Sequence, residues 1–119
     1  MNRIDLSHIG LSGRYLADAE LTDANLSDAN LDYAILSGAD LTNAGLTNAN
    51  LANAILTGAN LTNADLRFAD LTGAILANVI ALDTTIGSAL YDINTDFTGT
   101  GFDPVAAGWK LVVEERDDD

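Results

Sequence analysis

His8 is the only histidine in this 119-residue sequence, and there is no cysteine. Thiolate chemistry and disulfides are therefore excluded. No serine is arranged with His8 as nucleophile and base, and no Gly-rich phosphate loop, zinc ligand set or nucleophile motif occurs. His8 reads as a residue at an exposed corner. The stretch "DINTDFTGTGFD" places Asp92, Asn94 and Asp96 at positions 1, 3 and 5 of a loop closed by Asp103 at position 12. A calcium loop needs Gly at position 6 and a bidentate Glu at position 12. Phe97 and Asp103 stand there instead, and no helix pair flanks the segment. Calcium is not expected, nor is any cofactor. The sequence does not read as an enzyme.

The charge balance excludes further classes. Eighteen acidic residues oppose five basic ones, a net charge of −13. Phosphate neutralisation needs Lys and Arg, so nucleic acid and anionic membrane surfaces are poor partners. No apolar run is long enough to span a bilayer. The start, "MNRIDLSHIGLSG", carries no apolar signal region. A cytoplasmic protein is expected.

A repeat must position whatever function remains. Leu occupies every fifth position from Leu6 to Leu76, fifteen times, and Ala precedes it by two residues from Ala19 to Ala74. The unit is Ala-(Asp/Asn)-Leu-(Thr/Ser)-x. A helix turns about 100° per residue, so this spacing would spiral Leu around every side. A flat strand throws successive Leu to opposite faces, because five is odd. The chain must therefore turn at every repeat. Ala and Leu point into a narrow tube and the residue between them points out. The core ladder is Leu21, Leu26, Leu31, Leu36, Leu41, Leu46, Leu51, Leu56, Leu61, Leu66, Leu71 and Leu76.

The outward column fixes the number of sides. It is mostly Asp, Asn or Gly, but Ile recurs at Ile35, Ile55 and Ile75, with Tyr15 one step earlier. Four pentapeptides thus close one turn. Tyr15, Ile35, Ile55 and Ile75, extended by Ile80 and Leu82, form a candidate interaction strip on one flat face. A homodimer, an unidentified protein or the folded-back C-terminal segment are its possible occupants. Glu20 and Asp40 would stack as a carboxylate pair, but on a convex surface without a pocket to shift a pKa. Asn43 and Asn63 read as part of an amide ladder.

The unit resembles the A(D/N)LXX unit of the pentapeptide-repeat family, over roughly residues 4–86. That resemblance implies a right-handed quadrilateral parallel β-helix, an all-β fold, here of about four coils. The tail "YDINTDFTGTGFDPVAAGW" is similar to a segment that follows such repeats in cyanobacterial proteins. Some family members inhibit DNA gyrase by resembling DNA, which needs an acidic stripe along the rod. Here no charged residue lies between Leu41 and Ala64, so that reading is the runner-up.

The ends complete the layout. Residues 1–91 read as the β-helix with an irregular first coil, 92–113 as a C-terminal cap and 114–119 as a disordered acidic tail. Asp103-Pro104 followed by "VAAG" has the order of an N-cap, a first-turn proline and a glycine stop, which predicts one short helical turn in the cap. The expected function is a non-catalytic scaffold or protein-interaction module.

Overall fold

A computed structural model describes residues 3–113; the 114–119 tail lies outside them. The five-residue rhythm is set by its corners. At each, the amide of the Ala position donates to the carbonyl of the preceding Leu, as from Ala24 to Leu21 and from Ala44 to Leu41, both 3.0 Å. The residue before that Ala has positive φ at all fifteen corners from His8 to Asn78. A turn with left-handed backbone at its third residue favours Gly or Asn. Twelve of the fifteen are Gly, Asn or Asp; His8, Tyr33 and Phe68 are the exceptions. Asn43 and Asn63 hold this corner position, with φ of 59° and 55°. They are turn formers, not rungs of the amide ladder expected of them.

Between corners the chain pairs with the coil above. Asn25 donates to the Ile4 carbonyl at 2.8 Å and accepts from the Leu6 amide at 2.7 Å. The same parallel pairing links each outward residue to the one twenty later. Four ladders result, beginning at Asp5, Gly10, Tyr15 and Glu20. The fold is a β-helix, and its side-to-side hydrogen bonds run along the axis as in any parallel sheet.

The tube interior is Leu and Ala alone. Every Leu and Ala position from Ala24 to Leu76 is at most 1% exposed, and no polar or charged residue is buried among the described residues. Each Leu stabilises the fold by roughly 1.5–3 kcal/mol before conformational entropy is set against it.

The C-terminal segment continues the coils. A single 3-10 turn, Leu82–Thr84, absorbs one extra residue. Pairing then runs at twenty-one residues from Asp65 to Ile86, at twenty from Asp70 to Leu90 and at twenty-one from Ile75 to Asp96. Strand β1, Leu90–Tyr91, then pairs in parallel with β2, Lys110–Leu111. The Gly10 ladder therefore has six levels, Gly10, Asn30, Asn50, Asp70, Leu90 and Lys110, more than the four coils expected. The decay of the repeat after Val79 hid them. Tyr91, Phe97, Phe102 and Trp109 pack over the end, with ring centroids 4.8–5.9 Å apart. The Asp103 carboxylate accepts from the amides of Val105 and Ala106, and Gly108 has φ +81°. The bonds between them are mixed, Ala107 to Asp103 and Trp109 to Pro104, so the segment is one irregular turn.

Leu56→Asp buries an unpaired charge and should abolish the cooperative melt, whereas Ile55→Asp, on the outer surface, should shift it by only a few degrees. Tyr33 holds φ of 60° and is 62% exposed; Tyr33→Gly should raise stability by about 1 kcal/mol in chemical denaturation.

Candidate functional site

Asp and Asn in the outward column do a local job. The Asp40 carboxylate accepts from the Thr42 amide at 3.0 Å and its hydroxyl at 2.6 Å. Asn60 receives the same two bonds from Thr62. Asn25, Asn30, Asn50, Asp65 and Asp70 each accept the amide two residues on. This side-chain turn satisfies an amide that the ladders leave unpaired. Side-chain amides also reach between coils, from Asn50 to Asn30 and from Asn25 to Asp5, both 3.4 Å.

These bonds set the carboxylates' character. The Thr42 hydroxyl and amide hold Asp40 below the usual carboxylate range. The Ser7 hydroxyl lowers Asp5, the Thr98 hydroxyl lowers Asp96, and the Arg67 guanidinium, 2.6 Å away, lowers Asp65. Each group's folded pKa lies below its unfolded value. The stability it contributes is present above the unfolded pKa and is lost as pH falls through the folded one. Groups held ionised in this way are poor proton donors near neutrality.

The isoleucine ladder lacks this device. Tyr15, Ile35, Ile55 and Ile75 stack in sequence and Asp96 continues the column. Tyr15 and the three Ile have no acceptor for the amide two residues on, whereas Asp96 accepts from Thr98; no protein acceptor meets the amides of Ala17, Ser37, Thr57 and Ala77 among the described residues. The hydroxyls of Ser37 and Thr57 likewise lack the Asp or Asn partner that Thr42 and Thr62 have. The three Ile side chains are half-buried against one another, and Tyr15 is 76% exposed.

Two residues leave the strip. Ile80 pairs with Asn60 and so ends the adjacent Glu20 ladder. Leu82 is buried, 2% exposed, inside the 3-10 turn. Spacing alone places both on the strip, because it counts across the point where the register changes. The C-terminal segment stacks above Ile75 and does not fold back over the strip.

The other candidates are dispersed. His8 stands at its corner, 3.7 Å from the Asp28 carboxylate. Glu20 and Asp40 do adjoin in one ladder. Asp92 accepts from the amides of Gly73 and Asn94, while Asp96 and Asp103 close their own turns. No three potential metal ligands converge among the described residues. Tyr33 and Phe68, exposed aromatics at left-handed corners, were missed. Their signal was a bulky residue in a column of Gly, Asn and Asp.

Comparison with known proteins agrees with this geometry. The model of pentapeptide repeats (8 copies) matches residues 11–48 and 39–78, more than half of the chain. The chain belongs to the pentapeptide repeat family. A pentapeptide repeat protein from the Arabidopsis thaliana thylakoid lumen is 34% identical over 80% of this chain and 59% of its own, with a TM-score of 0.61. This chain thus spans less than two thirds of that relative. A pentapeptide repeat protein from Nostoc Pcc 7120 is 32% identical over 92% and 86%, with a TM-score of 0.40. One from the cyanobacterium Cyanothece 51142 is 37% identical over 78% and 63%, with a TM-score of 0.43. No curated protein matches the chain in sequence. No described helix is long and apolar enough to cross a membrane.

Asn60→Ala should cost about 0.5–1.5 kcal/mol by loss of the Thr62 bonds. Asp40→Asn keeps both acceptor bonds to Thr42. It should leave the neutral-pH melt unchanged and reduce the loss of stability between pH 4 and lower values, read by thermal melts across pH.

Proposed function

We propose that this protein is a non-catalytic scaffold that binds another protein along its isoleucine face. One observation carries the reading. At three successive levels of one ladder, Ile replaces the Asp or Asn that closes the turn elsewhere, and a hydrogen bond is given up each time. A local rule broken repeatedly in register, without a gain in the core, points to selection for contact. The three isoleucine levels, residues 33–38, 53–58 and 73–78, carry no charged residue on a chain of net charge −13. Two copies packed side by side would bring their acidic ladders alongside each other. A different protein with an apolar strip and backbone or side-chain acceptors for the free amides fits better.

In this reading the β-helix is right-handed and four-sided, with residues 92–113 as its cap. Pairing at twenty residues, a corner at every fifth and the aromatic cluster support it, and the hand follows from the family. The cytoplasm remains the proposed compartment. The non-catalytic role is supported by carboxylates committed to turns on convex faces.

Gyrase binding by DNA resemblance is less well supported. Acids gather in residues 18–32 and beyond residue 82, and the middle coils are uncharged between Leu41 and Ala64. Supercoiling inhibition at low-micromolar protein would favour it over the scaffold reading.

A photo-crosslinking residue placed at Thr57, beside Ile55, should capture one protein in native extract. The same probe at Thr47, on another side, should not, and Ile55→Asp should remove the adduct. Equal yields from both positions, or an adduct of twice the chain mass, would contradict a dedicated heterologous face.

A further inference from the structure

The two ends of the β-helix are unlike. The C-terminal end is closed by β2 and by Trp109, Phe97 and Phe102. At the other end, Leu6, Ile9, Leu11, Leu16 and Ala19 are only partly buried, whereas the same positions from Ala24 upward are almost wholly so.

The backbone at that end is also open. In every later coil the outward residue turns both its amide and its carbonyl toward the coil below. Asn30 donates to Ile9 and accepts from Leu11; Ile35 donates to Arg14 and accepts from Leu16; Asp40 donates to Ala19 and accepts from Leu21, all at 2.7–2.9 Å. Asp5, Gly10, Tyr15 and Glu20 begin these same ladders. Their amides and carbonyls face the same way, and among the described residues nothing pairs with them. An open sheet edge over a half-exposed core is a template for another chain.

We propose that this edge pairs with the same edge of a second copy, end to end and antiparallel. The corners select the occupant. A linear peptide adds to a sheet edge by running straight, but this edge turns every five residues, so such a peptide satisfies one side only. A second coil of equal side length meets all four. A residue that points its amide and carbonyl to one side is what an antiparallel hydrogen-bonded pair exchanges. The edge is therefore self-complementary under a two-fold axis, and the covered C-terminal ends stop the assembly at two copies. Arg14 lies in this coil with Asp5, Asp18 and Glu20, and the Arg3 guanidinium reaches up the rod to donate to the Asp23 carbonyl. End-on packing also keeps the acidic ladders of the upper coils apart.

Gly10 provides the test. A Cβ there meets nothing within 4 Å, and its backbone lies outside the positive-φ region. Gly10→Pro thus removes a donor that no bond within the described chain uses. Sedimentation of the intact 119-residue chain from about 1 to 100 µM should reveal a dimer, and Gly10→Pro should weaken it roughly tenfold or more. Ile55→Asp should leave the dimer intact, which separates this surface from the isoleucine face. Hydrogen exchange gives a readout without any variant. The Gly10, Tyr15 and Glu20 amides should be protected at high concentration and lose protection on dilution. A monomer throughout this range, a dimer in which these amides exchange freely, or a dimer lost in Ile55→Asp but kept in Gly10→Pro would overturn the proposal.

Discussion

The corner at every fifth residue is the constraint on which the rest of the molecule depends. It fixes a tube so narrow that only one Leu and one Ala per side fit inside, and from Ala24 to Leu76 nothing else is used. It demands a left-handed residue, hence the Gly, Asn and Asp of that column. It also leaves an amide outside each turn. Asp and Asn in the outward column supply the acceptor for that amide, with hydroxyl help from Thr42, Thr62 and Thr72. The recurring motif is thus a set of solutions to one backbone problem, and the acidity of the chain is partly its by-product.

Departures from the motif become informative on this view. Gly45 merely omits the acceptor on a polar ladder. Ile35, Ile55 and Ile75 omit it three times in one column and put apolar area in its place. The fold gains little from them, since they lie outside the tube. Tyr33 and Phe68 are departures of a second kind, because each bears a left-handed backbone that an aromatic side chain tolerates poorly. These aromatic corners and the isoleucine ladder are where the turn chemistry of the repeat is broken.

Much of this was legible in the residues. The odd period excluded helix and flat strand, and the spacing of Ile35, Ile55 and Ile75 gave the number of sides. The role of Asn43 and Asn63 was not legible, because Asn serves both as a turn former and as a ladder rung, and only the φ angle separates them. Ile80 was misplaced for a different reason. Near it the repeat absorbs an extra residue in the Leu82–Thr84 turn, and counting by fives fails there. The upper coils were hidden by Phe97, Phe102 and Trp109, which fill with rings the space that Leu fills below.

The isoleucine face leaves turn amides unpaired that Asp40, Asn60 and Asp70 satisfy on other faces. Residue-resolved hydrogen exchange on the isolated chain reads this difference. Exchange should be fast at Ser37 and Thr57 and markedly slower at Thr42, Thr62 and Thr72. Equal protection at all five would contradict it, because the Asp and Asn turns would then not distinguish one face from the others.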